Sequence, residues 1–367
     1  MPSPSQPSPQ ARVRAFDWLR GLAVLVMIET HAMVLLRKEL LSTPTAGVLD
    51  YLNGLVAPSF IFAAGFSLAL VQVRAASAPG PRAPRVLRSL RRIGEVLAVG
   101  TLINWVWFPI SVDPGWLLRV DILQCIGLTL LAALPLNVAL GARPRVLATV
   151  SLLVGLALFL VAPFADGVTG PLQDLLNKSG PRRSVFPLLP WAGWVFLGGA
   201  AGATAARGTA AEIRRLAVGI GVASVAAWLL KPVWLAVYPP HEFWVTDPAN
   251  TGARGISVMA VLLLLLAIEA RAPAGARRSP AVWLLELFGT SSLAAYFWHE
   301  MLIYYEVRGV SVVRLAGGRS GWAGFAGWVV VLVAATALLA WLTDKLYRRI
   351  DRRRAPRPVP AVGPLSA

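Results

Sequence analysis

Cysteine is almost missing from this 367-residue chain: there is one, Cys125. A single thiol closes no intrachain disulfide, and no metal-ligand spacing is present, so no metal is expected. Cys125 sits in an apolar run and reads as a small buried hydrophobe. Charge is scarce too. Asp, Glu, Lys and Arg make up 14% of the residues, where ordinary soluble domains carry roughly 25%. That is too little to cover a surface facing water. Also lacking are the short alternating strands of a transmembrane β-barrel, any repeat of fixed period, and the evident half-to-half symmetry of many transporters.

Apolar sequence takes their place. Hydrophobic residues make up 56% of the chain, and the mean hydropathy is +0.64. Apolar runs near twenty residues long recur, the length a helix needs to cross a ~30 Å hydrocarbon core. They lie near 15–36, 48–73, 93–111, 117–140, 146–165, 185–206, 216–238, 255–270, 281–305 and 321–343. The expected fold is an all-α, polytopic integral membrane bundle of about ten transmembrane helices. The first run is too long for a signal-peptide core, and no small-residue cleavage site follows it.

The formal net charge of +17 raises nucleic acid as a partner, but the charges are placed otherwise. With the N-terminus in the cytoplasm, roughly two thirds of the basic residues fall on the cytoplasmic side, the positive-inside pattern. Basicity then reports topology and attraction to anionic membrane lipids. Both termini are expected in the cytoplasm, and no nucleic-acid partner is expected. Residues 1–11, "MPSPSQPSPQA", are Pro/Ser/Gln-rich and read as a disordered tail. Residues 350–367 read as a second tail, basic and then Pro-rich, which leaves 12–349 as one membrane domain. Two non-cytoplasmic loops, about 166–184 and 239–254, mix polar groups with turn formers. They could hold an acceptor or merely connect helices.

The first run, "DWLRGLAVLVMIETHAM", holds Asp17, Arg20, Glu29 and His31. Intramembrane ionisable groups are candidates for function. At about 100° per residue, Arg20 and His31 share a helix face ~16 Å apart, with Glu29 on the other side. Arg20 also has a structural reading, since it could snorkel toward an interface with Asp17 as its helical partner. His31 has the pKa of a general base near neutrality, or it could simply close a helix–helix hydrogen bond. Further along, Asp121 and Gln124 share a face, and His299 and Glu300 lie deep in the ninth run. Arg85, Arg88, Arg91 and Arg92 crowd the start of the third run, where arginine forks could grip phosphate or serve topology alone.

The order "DWLRGLAVLVMI…H", "APSFIFAAG", "DILQCIGL", "FPLLPWAGW" and "SSLAAYFWHE" resembles the heparan-α-glucosaminide N-acetyltransferase type of membrane acyltransferase over roughly residues 12–345. That type is similar in turn to the wider acyltransferase type 3 group. From the wider group the resemblance implies a catalytic base or acyl relay at His31, ten residues after Arg20. It also implies an acyl-CoA-binding role for Arg88, Ser89 and Arg92. The connection "RKELLSTPTAGVLDYLNG" has no histidine where animal lysosomal members carry their active one, so His31 rests on the wider group's pattern.

The expected function is therefore an acyltransferase. It would move an acyl group, by expectation acetyl from acetyl-CoA, to a glycan or lipid-linked sugar acceptor of a bacterial envelope. Arg20, on the stripe of the first run expected to line the cavity, would guide or anchor the anionic donor on its way to His31, with Asp17 fixing its rotamer, while Glu29, Asp121, Gln124, His299 and Glu300 would orient the site or the acceptor. The alternative is a transporter or flippase using the same charges as a proton relay or substrate site. A homo-oligomer is compatible with either.

Overall fold

The computed structural model describes residues 13–271 and 279–354. The expected tail 1–11 lies outside them, as does most of the expected tail 350–367; its first residues, 350–354, are not tail but the end of the last helix, which runs to Arg354. Thirteen helices of seven or more residues organise the described chain: α1 (Arg14–Ala32), α2 (Pro44–Asn53), α3 (Val56–Ser77), α4 (Ala83–Trp107), α5 (Ile122–Leu140), α6 (Pro144–Ala165), α7 (Leu188–Arg207), α8 (Ala210–Leu229), α9 (Lys231–Val237), α10 (Pro248–Arg271), α11 (Pro280–Thr290), α12 (Ser292–Tyr304) and α13 (Trp322–Arg354). No strand occurs among the described residues. The chain is an all-α bundle.

Each expected apolar run is helical, and the expected count of ten spans is approximate. Among the described residues, seven segments are by themselves long and apolar enough to cross a membrane: α1 with the turn after it, α2 with α3, α5, α6, α7, α10 and α13. The pair α8 and α9, bent by 61°, would make an eighth. Two expected runs do not qualify by length and composition. The third, α4, begins with the charged stretch Arg85 to Glu95. The ninth is interrupted at Ser291, leaving helices of 11 and 13 residues. Many large apolar side chains remain exposed on the outer faces, among them Leu153, Val222, Leu264 and Val330. In lipid that exposure costs nothing; in water it would be a broad aggregation surface.

Without a hydrophobic drive between helices in lipid, close packing of small residues holds such a bundle together. The α3–α7 contact shows it best. A Cβ on Gly65 would strike the carbonyl of Val195, and Cβ atoms on Gly198 and Gly202 would strike those of Phe62 and Phe66. Gly198 and Gly202 are one turn apart, the small-xxx-small spacing. The same holds for α1 against α11, where Gly21 meets Leu285 and Gly289 meets the main chain of Asp17. Elsewhere caps set the ends. Both carboxylate oxygens of Glu269, at the end of α10, accept the main-chain N–H groups of Arg14 and Ala15 at 2.8 and 3.0 Å. They satisfy donors that α1 would otherwise leave orphaned. Thr209 and Glu212 form a capping box that opens α8. Cys125 is fully buried, as expected.

The helix ends sort into two groups. The starts of α1, α4 and α11 lie with the ends of α3 and α10, as the bonds from Arg14 and Ala15 to Glu269, Arg14 to Glu286 and Gln72 to Ser89 show. The opposite end gathers the close of α1, α4 and α12 and the start of α3, α5 and α10.

Gly198→Ala is expected to lower the thermal unfolding midpoint in detergent, because overpacking a tight contact costs ~1–3 kcal/mol. Gly219→Ala, whose added methyl would meet open space, serves as control. Equal midpoints for the two variants would contradict the α3–α7 packing.

Candidate active site

The opposite end of the bundle holds a cavity of about 440 Å³. His31, Asp121, Gln124 and Glu300 all line it, together with Asn53, Asn104, Lys178, Arg254 and Tyr296. A larger hollow of about 750 Å³ between α11 and α13 has only aliphatic and Trp side chains in its wall and offers no acid, base or nucleophile. Of the two, the smaller cavity is the one lined by acids, bases and amides.

His31 arrives from the last turn of α1. Its Nδ1 stands 3.3 Å from Glu300 Oε1 and 3.3 Å from the hydroxyl of Tyr304. Tyr304 in turn donates to the main-chain carbonyl of His31 at 3.3 Å. With its proton on Nδ1, beside the Tyr304 hydroxyl and the Glu300 carboxylate, the ring keeps Nε2 as its acceptor, in a residue that lines the cavity. The His31 side chain is 31% exposed, whereas Glu300 is 10% and His299 fully buried. His299 packs edge-on against His31 with ring centroids 4.9 Å apart. Its Nδ1 donates to the Ala295 carbonyl at 3.1 Å, and its Nε2 lies 3.7 Å from Glu300 Oε1 with no hydrogen-bond partner. Ligand atoms of His31, His299 and Glu300 all lie within 4.8 Å of one another, so three donors able to hold a cation converge where the sequence carries no metal spacing.

The other wall comes from α4 and α5. Asp121 stands just before α5, its side chain turned to Arg119 rather than to the helix end, and takes a two-pronged bond from Arg119 at 3.1 and 3.3 Å. Arg119 also reaches the carbonyls of Arg182 and Arg183 and stacks on Phe108, so loop 166–184 is tied to this wall. Gln124 is buried one turn further on, its Oε1 unpartnered. Arg254 lies over Trp191 and donates to the Trp244 carbonyl at 3.1 Å. Both expected loops therefore bear on the cavity, the first through Lys178 and the second through Arg254.

The remaining expected residues lie elsewhere. Arg20 does not line the cavity. Its guanidinium donates to the Gly289 carbonyl at 3.0 Å, the Ala63 carbonyl at 2.8 Å and Ser67 at 2.7 Å. Asp17 is nearly a turn earlier, its main chain against Gly289. Glu29 faces Asn53, whose amide, turned to satisfy its neighbours, donates to Glu29 at 2.8 Å. Arg88 and Arg92 are exposed at the end of the bundle that bears Arg14. Arg92 pairs with Glu95 at 3.3 Å, and Ser89 accepts from Gln72 at 2.7 Å. Twelve residues of α4, ~18 Å of helix, separate Arg92 from Asn104 in the cavity wall. Sequence reading missed Tyr296 and Tyr304. They fall four residues on either side of Glu300, the spacing of one helix face, and that register could have flagged them.

Residues 12–237 match the family described as heparan-alpha-glucosaminide N-acetyltransferase, catalytic. The chain belongs to that family. No curated protein matches it. The heparan-alpha-glucosaminide N-acetyltransferase match makes this a membrane acetyltransferase-type protein. It covers His31, the Arg88–Arg92 cluster, Asp121 and Gln124. It ends before Arg254, Tyr296 and Glu300 of the cavity wall, and before His299 and Tyr304 beside them, so a minor part of the cavity is furnished by chain beyond the matched segment.

Loop 239–254 is set by His241, whose Nε2 bonds Asp247 at 2.8 Å and whose Nδ1 bonds the Pro239 carbonyl at 2.8 Å. Burial acts to lower the His241 pKa, but those two acceptors together with Asp166 outweigh it and hold the pKa above its ordinary value. A raised folded-state pKa contributes stability that is complete below the unfolded value of ~6.5. That contribution fades as pH rises through the folded value. Asp247→Asn keeps an N-cap side chain for α10 but removes the charge. The variant is expected to lose part of the wild-type gain in unfolding midpoint between pH 8 and pH 6; an unchanged profile would refute the pairing.

Proposed function

We propose that this protein transfers an acetyl group from acetyl-CoA to a hydroxyl or amine of a glycan or lipid-linked sugar, with His31 as general base. The observation that carries this is His31 itself: a residue of the cavity wall with Nδ1 beside Glu300 and Tyr304, in a chain of an acetyltransferase family. The acceptor enters the cavity between the two loops. Its O–H or N–H proton passes to His31 Nε2 as the oxygen or nitrogen attacks the thioester carbonyl. The C–S bond breaks, and the CoA thiolate leaves with that proton. Glu300 stabilises the imidazolium formed in between. The amides of Asn104 and Gln124 and the cations Lys178 and Arg254 are the cavity's donors toward the transient oxyanion.

The donor's phosphates are assigned to Arg88 and Arg92, with Ser89 beside them, on the cytoplasmic face. The thioester must then travel along α4 to reach His31. Arg20 and Asp17 support the catalytic helix rather than touch substrate. Residues 12–349 form the acetyltransferase unit, in a bacterial cytoplasmic membrane with both termini inside. The transporter reading has no comparable support, because the family match names an acetyltransferase.

His31→Gln is expected to lower CoA release from acetyl-CoA by ~10²–10⁴-fold, the usual weight of a general base, with membrane insertion intact. Near-normal turnover would remove His31 from the reaction. Arg88→Ala with Arg92→Ala is expected to raise KM for acetyl-CoA tenfold or more, since each charge-assisted bond contributes ~1.5–3 kcal/mol, while kcat stays close to wild type. An unchanged KM would return both arginines to a topological role.

A further inference from the structure

We propose that His31, His299 and Glu300 form a binding site for a borderline divalent cation, Zn²⁺ foremost, and that its occupancy excludes His31 from acting as a base.

Two imidazoles and a carboxylate are a donor set that suits Zn²⁺. The arrangement has the further features such a set needs. His299 donates Nδ1–H to the Ala295 carbonyl, which fixes the tautomer and leaves a bare lone pair on Nε2. Metal-bound histidines are held in this way by their other nitrogen. That lone pair is fully buried and has no partner. It faces Glu300 Oε1 at 3.7 Å, so two acceptors look at each other with nothing positive between them. A buried acceptor left so is costly, and a cation between them satisfies both.

The distances fit as well. Tetrahedral bonds of ~2.0–2.1 Å place neighbouring ligand atoms ~3.3–3.4 Å apart. His31 Nδ1 and Glu300 Oε1 are 3.3 Å apart, and His299 Nε2 and Glu300 Oε1 are 3.7 Å apart. All three ligands lie within 4.8 Å, so only the widest edge has to close. His299 and Glu300 are held by α12 and His31 by α1, elements already packed together. The fourth position opens on the cavity, where water or an anion can complete the shell.

The second half of the proposal rests on the base assignment made above. Coordination through His31 Nδ1 displaces the proton from that nitrogen. The neutral ring must then carry its proton on Nε2, which ceases to be an acceptor. Metal binding and proton abstraction thereby compete for one imidazole, and Zn²⁺ acts as a reversible inhibitor.

The test uses the full chain in detergent or nanodiscs, stripped with a chelator and titrated with Zn²⁺ by calorimetry and with Co²⁺ by visible absorption. Expected are one Zn²⁺ per chain, Co²⁺ d–d bands that Zn²⁺ abolishes, and loss of CoA release that EDTA restores. His299→Gln and Glu300→Gln are each expected to weaken Zn²⁺ by ~100-fold, since outer-shell losses alone cost ~10–100-fold. Two variants guard against one failing to fold, with gel filtration as the check. No binding at micromolar Zn²⁺, or equal affinity in wild type and both variants, would overturn the site. Zn²⁺ bound at full activity would overturn the exclusion. Activity lost on stripping and regained with Zn²⁺ would overturn it too, and the base assignment with it. His31→Gln assayed in EDTA tests that assignment separately.

Discussion

A guanidinium inside an apolar bundle has to find its partners in protein, because hydrocarbon offers none. Arg20 meets this demand by reaching across to two other helices. It takes the Gly289 carbonyl at the end of α11 and the Ala63 carbonyl and Ser67 of α3. The bond to Gly289 falls just before the interruption at Ser291, where a helix end leaves carbonyls unsatisfied. Arg20 therefore secures the point at which α11 gives way to α12. Everything α12 brings to His31 depends on the direction it takes from there.

That dependence joins two parts of the chain. The segment matching the acetyltransferase family supplies His31, the wall of α4 and α5 and the basic start of α4. The chain beyond it supplies the groups around His31: Glu300, Tyr304 and His299. A histidine at a helix end is a modest proton acceptor without an anchored tautomer. Glu300 and Tyr304 give His31 that anchor, and the unpartnered His299 nitrogen makes the same group receptive to a cation.

The cavity mouth follows a second principle. Its polar groups are few, and most are fixed by bonds that point away from the cavity. Arg119 holds Asp121 while binding the carbonyls of loop 166–184. Arg254 is held by Trp191 and by the carbonyl of Trp244 in a loop pinned by His241 and Asp247. Side chains set in this way lose little freedom when a substrate arrives, which is the sense in which a site is preorganised. The cations at the other end of α4 are exposed and loosely paired.

The sequence by itself determined that this is a helical membrane bundle, because ~20 apolar residues per crossing leave an unmistakable record in composition. It also marked Arg20 and His31, because a charge inside an apolar run is conspicuous wherever it points. It placed about ten apolar runs but not their interruptions, since an apolar run does not reveal a break such as Ser291 or a bend such as that between α8 and α9. Only the tertiary structure decided that Arg20 turns away from the cavity to tie helices together while His31 faces into it. Both lie on one stripe of α1, and helical periodicity cannot say which neighbour meets each end of that stripe. Tertiary structure alone also brought Tyr304 to His31 from 273 positions away. Such a pairing is set by how α1 and α12 pack, through Gly289 and Arg20, and local sequence carries no term for a contact at that separation.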